Sequence, residues 1–189
     1  MKKTKIGAKT YLYPMPTVIV GGNVGGKPNY LTVAFCGMVQ NRPAMISIAS
    51  FKDHYTNAGI KETGTFSVNI PSEDMIKVTD YIGIHSGKEI DKSKLFKTFY
   101  GKLETAPMIE ECPINLECKL VKTVNIEGID ELFIGQIMET YCEARYLTDG
   151  NPDITKVKPI IFSMHDNKYY SVGQLLGKAW SIGKDFKKS

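Results

Sequence analysis

Apolar residues along this chain fall mostly into short runs closed by Gly, Pro and Asn, and several runs alternate strictly with polar positions. From Asn115 to Val121, Leu116, Cys118 and Leu120 alternate with Glu117 and Lys119, the two-residue period of a strand with one buried face. Leu132 to Met138 is more continuously apolar and reads as a more fully buried strand. Further strands are predicted at Val18–Val20, Asn29–Gly37, Ala44–Ala49, Phe66–Ile70, Ile160–Phe162 and Tyr169–Val172. The glycines of Gly21–Pro28 fit a hairpin connection into the Asn29 strand, and Asp166-Asn167 fits the turn of a terminal hairpin. Two short helices interrupt the strands. One is capped by Thr56 and stopped at Gly64; the other starts at Pro71-Ser72-Glu73-Asp74 and carries Met75, Ile76, Thr79 and Ile82 at near-helical spacing up to Gly83. This second helix is expected to cross a barrel opening. The fold class is therefore mainly β: a barrel of antiparallel strands in a Greek-key-like order, with a few helices.

At 189 residues, with 42% hydrophobic and 23% charged residues, the chain fits one domain, residues 1–189. No apolar run approaches the ~20 residues that span a bilayer, and the basic start lacks a signal-peptide core, so a cytoplasmic protein is expected. Cys36, Cys112, Cys118 and Cys142 show no C-x-x-C spacing, which favours reduced thiols over disulfides or structural zinc. His54, His85 and His165 lack paired metal-ligand spacing. The net charge of +4 gathers largely at the two ends without interleaved aromatics, which argues against nucleic-acid binding. A mild positive charge does favour anionic dinucleotides.

The richest stretch runs from Asn29 to Thr56. Strand alternation puts Thr32, Ala34 and Cys36 on one face and Ser47 with Ala49 on one face of the next strand, small surfaces against which a flat ring can lie. The following Ser50-Phe51-Lys52-Asp53-His54-Tyr55-Thr56 brings hydroxyls and an ammonium to a helix start, where free N–H groups attract an anion. The Gly-rich loop at Gly21–Gly26 is followed by an extended segment, so it is a turn and not a Rossmann or P-loop element.

In order and spacing the chain resembles the flavin-reductase-like proteins with an FMN-binding split barrel, and among them the flavoredoxin type. The resemblance rests on Pro14-x-Pro16 before Thr17–Val20, Lys27-Pro28-Asn29, and Asn41-Arg42-Pro43 before Ile46-Ser47-Ile48. It continues through His54-Tyr55-Thr56-Asn57, Gly64–Pro71, His85-Ser86-Gly87 and Asp91-Lys92. It implies FMN as cofactor, with Asn29, Thr32, Ala34, Phe35, Cys36, Ser47, Ala49 and Ser50 around the ring. Lys52, Tyr55 and Thr56, the backbone at Ser86-Gly87, and Lys92 would take the phosphate. His54 and His85 would touch FMN or the nicotinamide, or else serve only the local loop structure. No catalytic side chain is assigned, since a flavin carries the hydride chemistry itself.

The resemblance further implies a homodimer, with NAD(P)H as hydride donor and a small molecule or protein as electron acceptor. Trp180 would serve as a dimer contact or, less simply, stack on the flavin. Two other readings stay open: an FMN electron carrier between proteins that makes no direct use of NAD(P)H, and a flavin-free split barrel acting as a binding module.

Overall fold

The computed structural model describes residues 1–187. In chain order its strands are β1 (Met15–Pro16), β2 (Val18–Val24), β3 (Lys27–Val33), β4 (Cys36–Gln40), β5 (Met45–Phe51) and, after helix α1 (Tyr55–Thr63), β6 (Thr65–Ile70). Helix α2 (Ile76–Ile84) precedes β7 (Thr98–Phe99), β8 (Met108–Ile109), β9 (Ile114–Asn125) and β10 (Asp130–Cys142). The chain continues through β11 (Leu147–Thr148), β12 (Asn151–Pro152), α3 (Ile154–Val157), β13 (Ile161–Ser163) and β14 (Lys168–Tyr170).

Seven strands form one antiparallel sheet in the order β3-β2-β6-β9-β10-β5-β4. Its two edge strands, β3 and β4, are consecutive in the chain, joined only by Ala34-Phe35, and Ala49 N–H donates to the Phe35 carbonyl at 2.8 Å. The sheet therefore curls back on itself. One core results: Val18, Val20, Leu31, Val33, Ile46, Ile48, Phe66, Val68, Leu116 and Phe133 pack together, with Ile60 of α1 among them. Alternation sends Ile19 and Tyr30 to the opposite face, where they meet Ile82 of α2, Phe96 and Ile109 in a second cluster. So α2 lies against the outer face of β2 and β3. A small sheet, β1-β13-β14, packs nearby through the Tyr169 hydroxyl, which donates to Asp80 of α2.

The β2-β3 turn is a two-residue hairpin, Val24 pairing with Lys27 across Gly25 and Gly26, both at positive φ. That matches the hairpin expected there, although β2 runs further than anticipated, through Gly21 and Gly22. The extra strand has a packing reason. α1 crosses β2 so closely that a Cβ on Gly59 would strike the Asn23 backbone. Gly64 closes α1 in the left-handed conformation as expected, at φ 67°. Its start is different: the cap position is His54, and Thr56 lies inside the first turn. The second helix opens with a 3-10 turn, Glu73–Met75, and runs past Gly83.

The run expected as one strand from Asn29 to Gly37 breaks at Ala34-Phe35, where Cys36 N–H donates to the Ala34 carbonyl. This tight turn resets the alternation. Thr32 faces α2, its hydroxyl donating to the Thr79 carbonyl, whereas Cys36 packs against the barrel core. The shared face expected for Thr32, Ala34 and Cys36 thus holds only up to the break. No helix among the described residues is long and apolar enough to cross a membrane.

Candidate functional site

Lys92 is a buried lysine. It is 3% exposed, and its ammonium donates to the carbonyls of Tyr30 at 2.9 Å and Ile82 at 2.8 Å. Burial pushes its pKa down to about 8. Among the described residues no carboxylate pairs with it, and Asp91 beside it is turned to the Ser93 amide and hydroxyl. A buried cation held only by two carbonyls has a third donor to spare and a charge still to be met.

Three elements converge in front of it. β3 supplies Asn29, 4% exposed, whose Nδ2 donates to Thr56 Oγ1 of α1 at 2.7 Å. Thr56, 1% exposed, keeps its own hydroxyl hydrogen for another acceptor. The α1 N-terminus carries no side-chain cap and no acidic residue in its first turn, although Asp53 just before the cap position lines the same cavity. The third element is the loop after α2, where Gly87 packs so tightly on Asn29 and the Tyr55 ring that a Cβ there would clash with both. Ser86 anchors this loop by accepting from the Glu89 and Ile90 amides.

Cavities run from this cluster along β3. One of about 260 Å³ lies between Lys27, Asn29, Tyr55, Gly87 and Lys92, and one of about 200 Å³ between Asn29, His54, Thr56, His85 and Ser86. The next, about 230 Å³, shares Gly83 and Ile84 with the second and is lined by Thr17, Thr32, Ala34, Asp80 and Tyr169. The last, about 450 Å³ and largely apolar, is bounded by Tyr11, Leu12, Met15, Ala34, Phe35 and Cys36. The result is an elongated trough, apolar at one end and lined at the other by polar and charged side chains, Lys27, Lys88 and Lys92 together with Asp53, Glu89 and Asp91.

His54 stands at the polar end. Ser50 Oγ donates to Asn57 Oδ1 at 3.0 Å, so the 2.8 Å contact between Ser50 Oγ and His54 Nδ1 requires Nδ1 to carry the hydrogen. Nε2 is then the acceptor. Burial, and next the Lys92 charge, lower the His54 pKa, which keeps the ring neutral. His85 also lines the trough, its ring tilted at 49° against that of Tyr81 with centroids 4.3 Å apart.

The sequence-level site is thus gathered only in part. Asn29, His54, Tyr55, Thr56, His85, Ser86, Gly87 and Lys92 come together, and Thr32, Ala34 and Phe35 continue the trough. Cys36 reaches the apolar end, but burial against the core raises its pKa to about 12. Ser47 donates to the Gly37 carbonyl, and Ala49 contributes its amide to the Phe35 junction. Ser50 turns inward to His54 and Asn57. Lys52 lies elsewhere, its ammonium on the carbonyls of Ile126 and Gly128 in the β9-β10 turn. The sequence reading missed Thr17, Asp80 and Tyr169: the Asp166-Asn167 turn located a hairpin but gave no sign that it packs beside β3.

Residues 10–168 match the family model described as the flavin reductase like domain. The chain belongs to the flavin-reductase-like family. It is similar to a flavoredoxin from Methanosarcina acetivorans, with 44% identity and a TM-score of 0.95 over 97% of this chain and 98% of that one. It is also similar to the flavoredoxin of Desulfovibrio vulgaris, with 36% identity and a TM-score of 0.90 over 97% and 100%. An uncharacterized protein of Archaeoglobus fulgidus shares 35% identity over 82% of this chain and 86% of its own. Among flavin-reductase-like proteins the fold is a split barrel, and the opening between β3 and β4 at Ala34-Phe35 is where this barrel is least closed by strand pairing.

Proposed function

We propose that this protein holds FMN in the trough along β3 and works as an oxidoreductase, taking reducing equivalents from NAD(P)H and passing them to an acceptor. The observation that carries the reading is Lys92: buried, with no carboxylate partner among the described residues, and placed with the uncapped end of α1 around one small cavity. Those donors suit a phosphate. The Asn29-Thr56 pair fixes β3 against α1 and leaves the Thr56 hydroxyl to donate, while the bare Gly87 backbone leaves no side chain between the loop and the anion. Neutral His54 offers Nε2 as an acceptor at the same end. Thr32, Ala34 and Phe35 give the apolar half a small, flat floor suited to a ring. When bound, FMN supplies the redox chemistry. The chain's own task is to fix the phosphate, orient the ring and shield one of its faces from water.

The likeness to two flavoredoxins supports a second reading, an FMN electron carrier that exchanges electrons with a protein partner without nicotinamide. One experiment separates the two. The purified protein is loaded with FMN, passed through a desalting column and titrated anaerobically with NADH and NADPH. Bleaching of the flavin absorbance by either supports the reductase. Retained colour without bleaching supports the carrier, and a colourless protein that takes up no FMN refutes both.

Both readings include a homodimer in the cytoplasm. Four free cysteines, two of them fully buried, suit a reducing compartment.

A further inference from the structure

The middle of the trough holds polar groups that the chain itself leaves incomplete. Thr17, between β1 and β2, is 3% exposed, and its Oγ1 has no hydrogen-bond partner among the described residues. It lines the cavity of about 230 Å³ whose wall also carries Asp80 of α2 and Tyr169 of β14. Asp80 Oδ1 accepts from the Tyr169 hydroxyl at 2.9 Å, and among the described residues no cationic side chain pairs with Asp80. Burial, and next the Asp80 contact, push Tyr169 up to about 12, so the phenol remains the donor and Asp80 keeps its second oxygen for another one. A buried hydroxyl without a partner is costly, and such exceptions call for an explanation.

The missing partner has to offer an acceptor to Thr17 and a donor to Asp80. A planar edge that carries C=O and N–H side by side does both. Such an edge occurs at the pyrimidine end of a flavin and in the carboxamide of a nicotinamide. The position of the cavity favours the flavin: it shares Gly83 and Ile84 with the polar end of the trough and Ala34 with the apolar groove bounded by Tyr11, Leu12 and Phe35. Isoalloxazine has the same lengthwise asymmetry, an imide at one end and a dimethylbenzene at the other.

We propose that Thr17 and Asp80 hold the pyrimidine edge of the flavin, Asp80 accepting from its N3–H and Thr17 donating to a neighbouring carbonyl, with the dimethylbenzene end in the Tyr11–Phe35 groove. This rests on the FMN reading above and fixes which way the ring lies. The pair also sets the potential. Reduction adds negative charge to the pyrimidine edge, which a carboxylate opposes and a hydroxyl donor supports. Removing the one and the other therefore moves the potential in opposite directions.

FMN alone is bound to each variant and reduced with dithionite against a dye of known potential, so no nicotinamide enters the measurement. Asp80→Asn keeps the shape and is expected to raise the midpoint potential by about 30 mV, a tenfold shift toward the reduced form for two electrons. Thr17→Val is expected to lower it while leaving urea unfolding of the FMN-free chain no worse, because only an unpaired hydroxyl is lost. 3-Methyl-FMN has no N3–H and is expected to bind the parent roughly tenfold more weakly than FMN, a ratio that Asp80→Ala reduces to within about threefold. Unmoved potentials in both variants, or equal affinities of the parent for FMN and 3-methyl-FMN, overturn the assignment and leave FMN binding standing. A loss confined to the KM for NAD(P)H gives the two groups to the nicotinamide carboxamide and overturns it as well. A parent that takes up no FMN refutes the reading beneath it.

Discussion

Asn29 Nδ2 donates to Thr56 Oγ1 at 2.7 Å, joining β3 to the first turn of α1 at the polar end of the trough, with both side chains almost fully buried. The bond satisfies a donor that has no access to water. Thr56→Val keeps the shape and removes the acceptor, leaving Asn29 Nδ2 unpaired at a cost of about 1–3 kcal/mol. Urea unfolding is expected to show that loss, and FMN affinity is expected to fall as well, because the valine has no hydroxyl to donate. A variant as stable as the parent would mean that the pair contributes nothing to docking α1.

Much of the scaffold was legible because it is local. Gly25-Gly26 and Gly64 need positive φ, and their neighbours announce the hairpin and the helix end. The alternation from Leu116 to Leu120 is a property of one strand. What failed depended on distant partners. The pleat inferred across Asn29–Gly37 assumed an unbroken strand, but the break at Ala34-Phe35 is stabilised by the amide of Ala49. Thr56 looked like a cap because its use by Asn29, 27 residues away, leaves no mark in the local sequence. Lys92 came only from family resemblance. Its burial under the carbonyls of Tyr30 and Ile82, 62 and 10 residues away, cannot be read from a charged Asp91-Lys92 pair.

The contrast between two lysines is testable. Lys92→Met removes a desolvated charge and is expected to weaken FMN binding on the order of 10- to 100-fold, from the ~1.5–3 kcal/mol of a charged hydrogen bond. Lys52→Met only frees the carbonyls of Ile126 and Gly128 and is expected to leave FMN affinity within about twofold, since exposed single charges contribute little. Isothermal titration of both variants decides the matter, and equal losses would contradict the placement of the phosphate.

Lys92 also makes stability and binding respond to pH in opposite directions. Its folded pKa, about 8, lies below the ~10.4 of an unfolded lysine. Between those values the unfolded chain holds a proton that the folded chain has released, so Lys92 makes the FMN-free protein gain stability as pH rises through this window, by up to about 3 kcal/mol. Phosphate affinity falls over the same range as the charge is lost. The measurement is the difference between parent and Lys92→Met in urea unfolding and in FMN titration. Parallel slopes in the two proteins would assign the pH dependence to other groups.

Gly87 tests the cradle by volume alone. A Cβ there would meet Asn29 Oδ1 and the Tyr55 ring, so Gly87→Ala must displace the loop or the Asn29-Thr56 pair. FMN binding is expected to drop at least tenfold, with a smaller loss of stability, because the loop edges the trough and not the barrel core. Serine at the same position is expected to do no better, as its hydroxyl comes with the same Cβ. Restored binding in Gly87→Ser would instead identify a missing donor as the defect.

His54 links the helix start to Lys92. Its Nδ1 hydrogen is committed to Ser50, because the Ser50 hydroxyl is committed to Asn57 Oδ1. Burial disfavours the charged ring, and protonation at Nε2 would also place a second positive charge near Lys92, which together lower the pKa. The sign follows from linkage: below ~6.5 the unfolded chain takes up a proton that folded His54 declines, so stability falls as the pH drops through this window. A ¹H–¹⁵N correlation is expected to show Nδ1 protonated and Nε2 bare at neutral pH, with a titration midpoint below that of free histidine. In Lys92→Met the midpoint is expected to rise, since one of the two causes of its depression has gone, while burial keeps it from returning fully. A midpoint indifferent to Lys92→Met would separate the two residues and confine His54 to shaping the loop through Ser50.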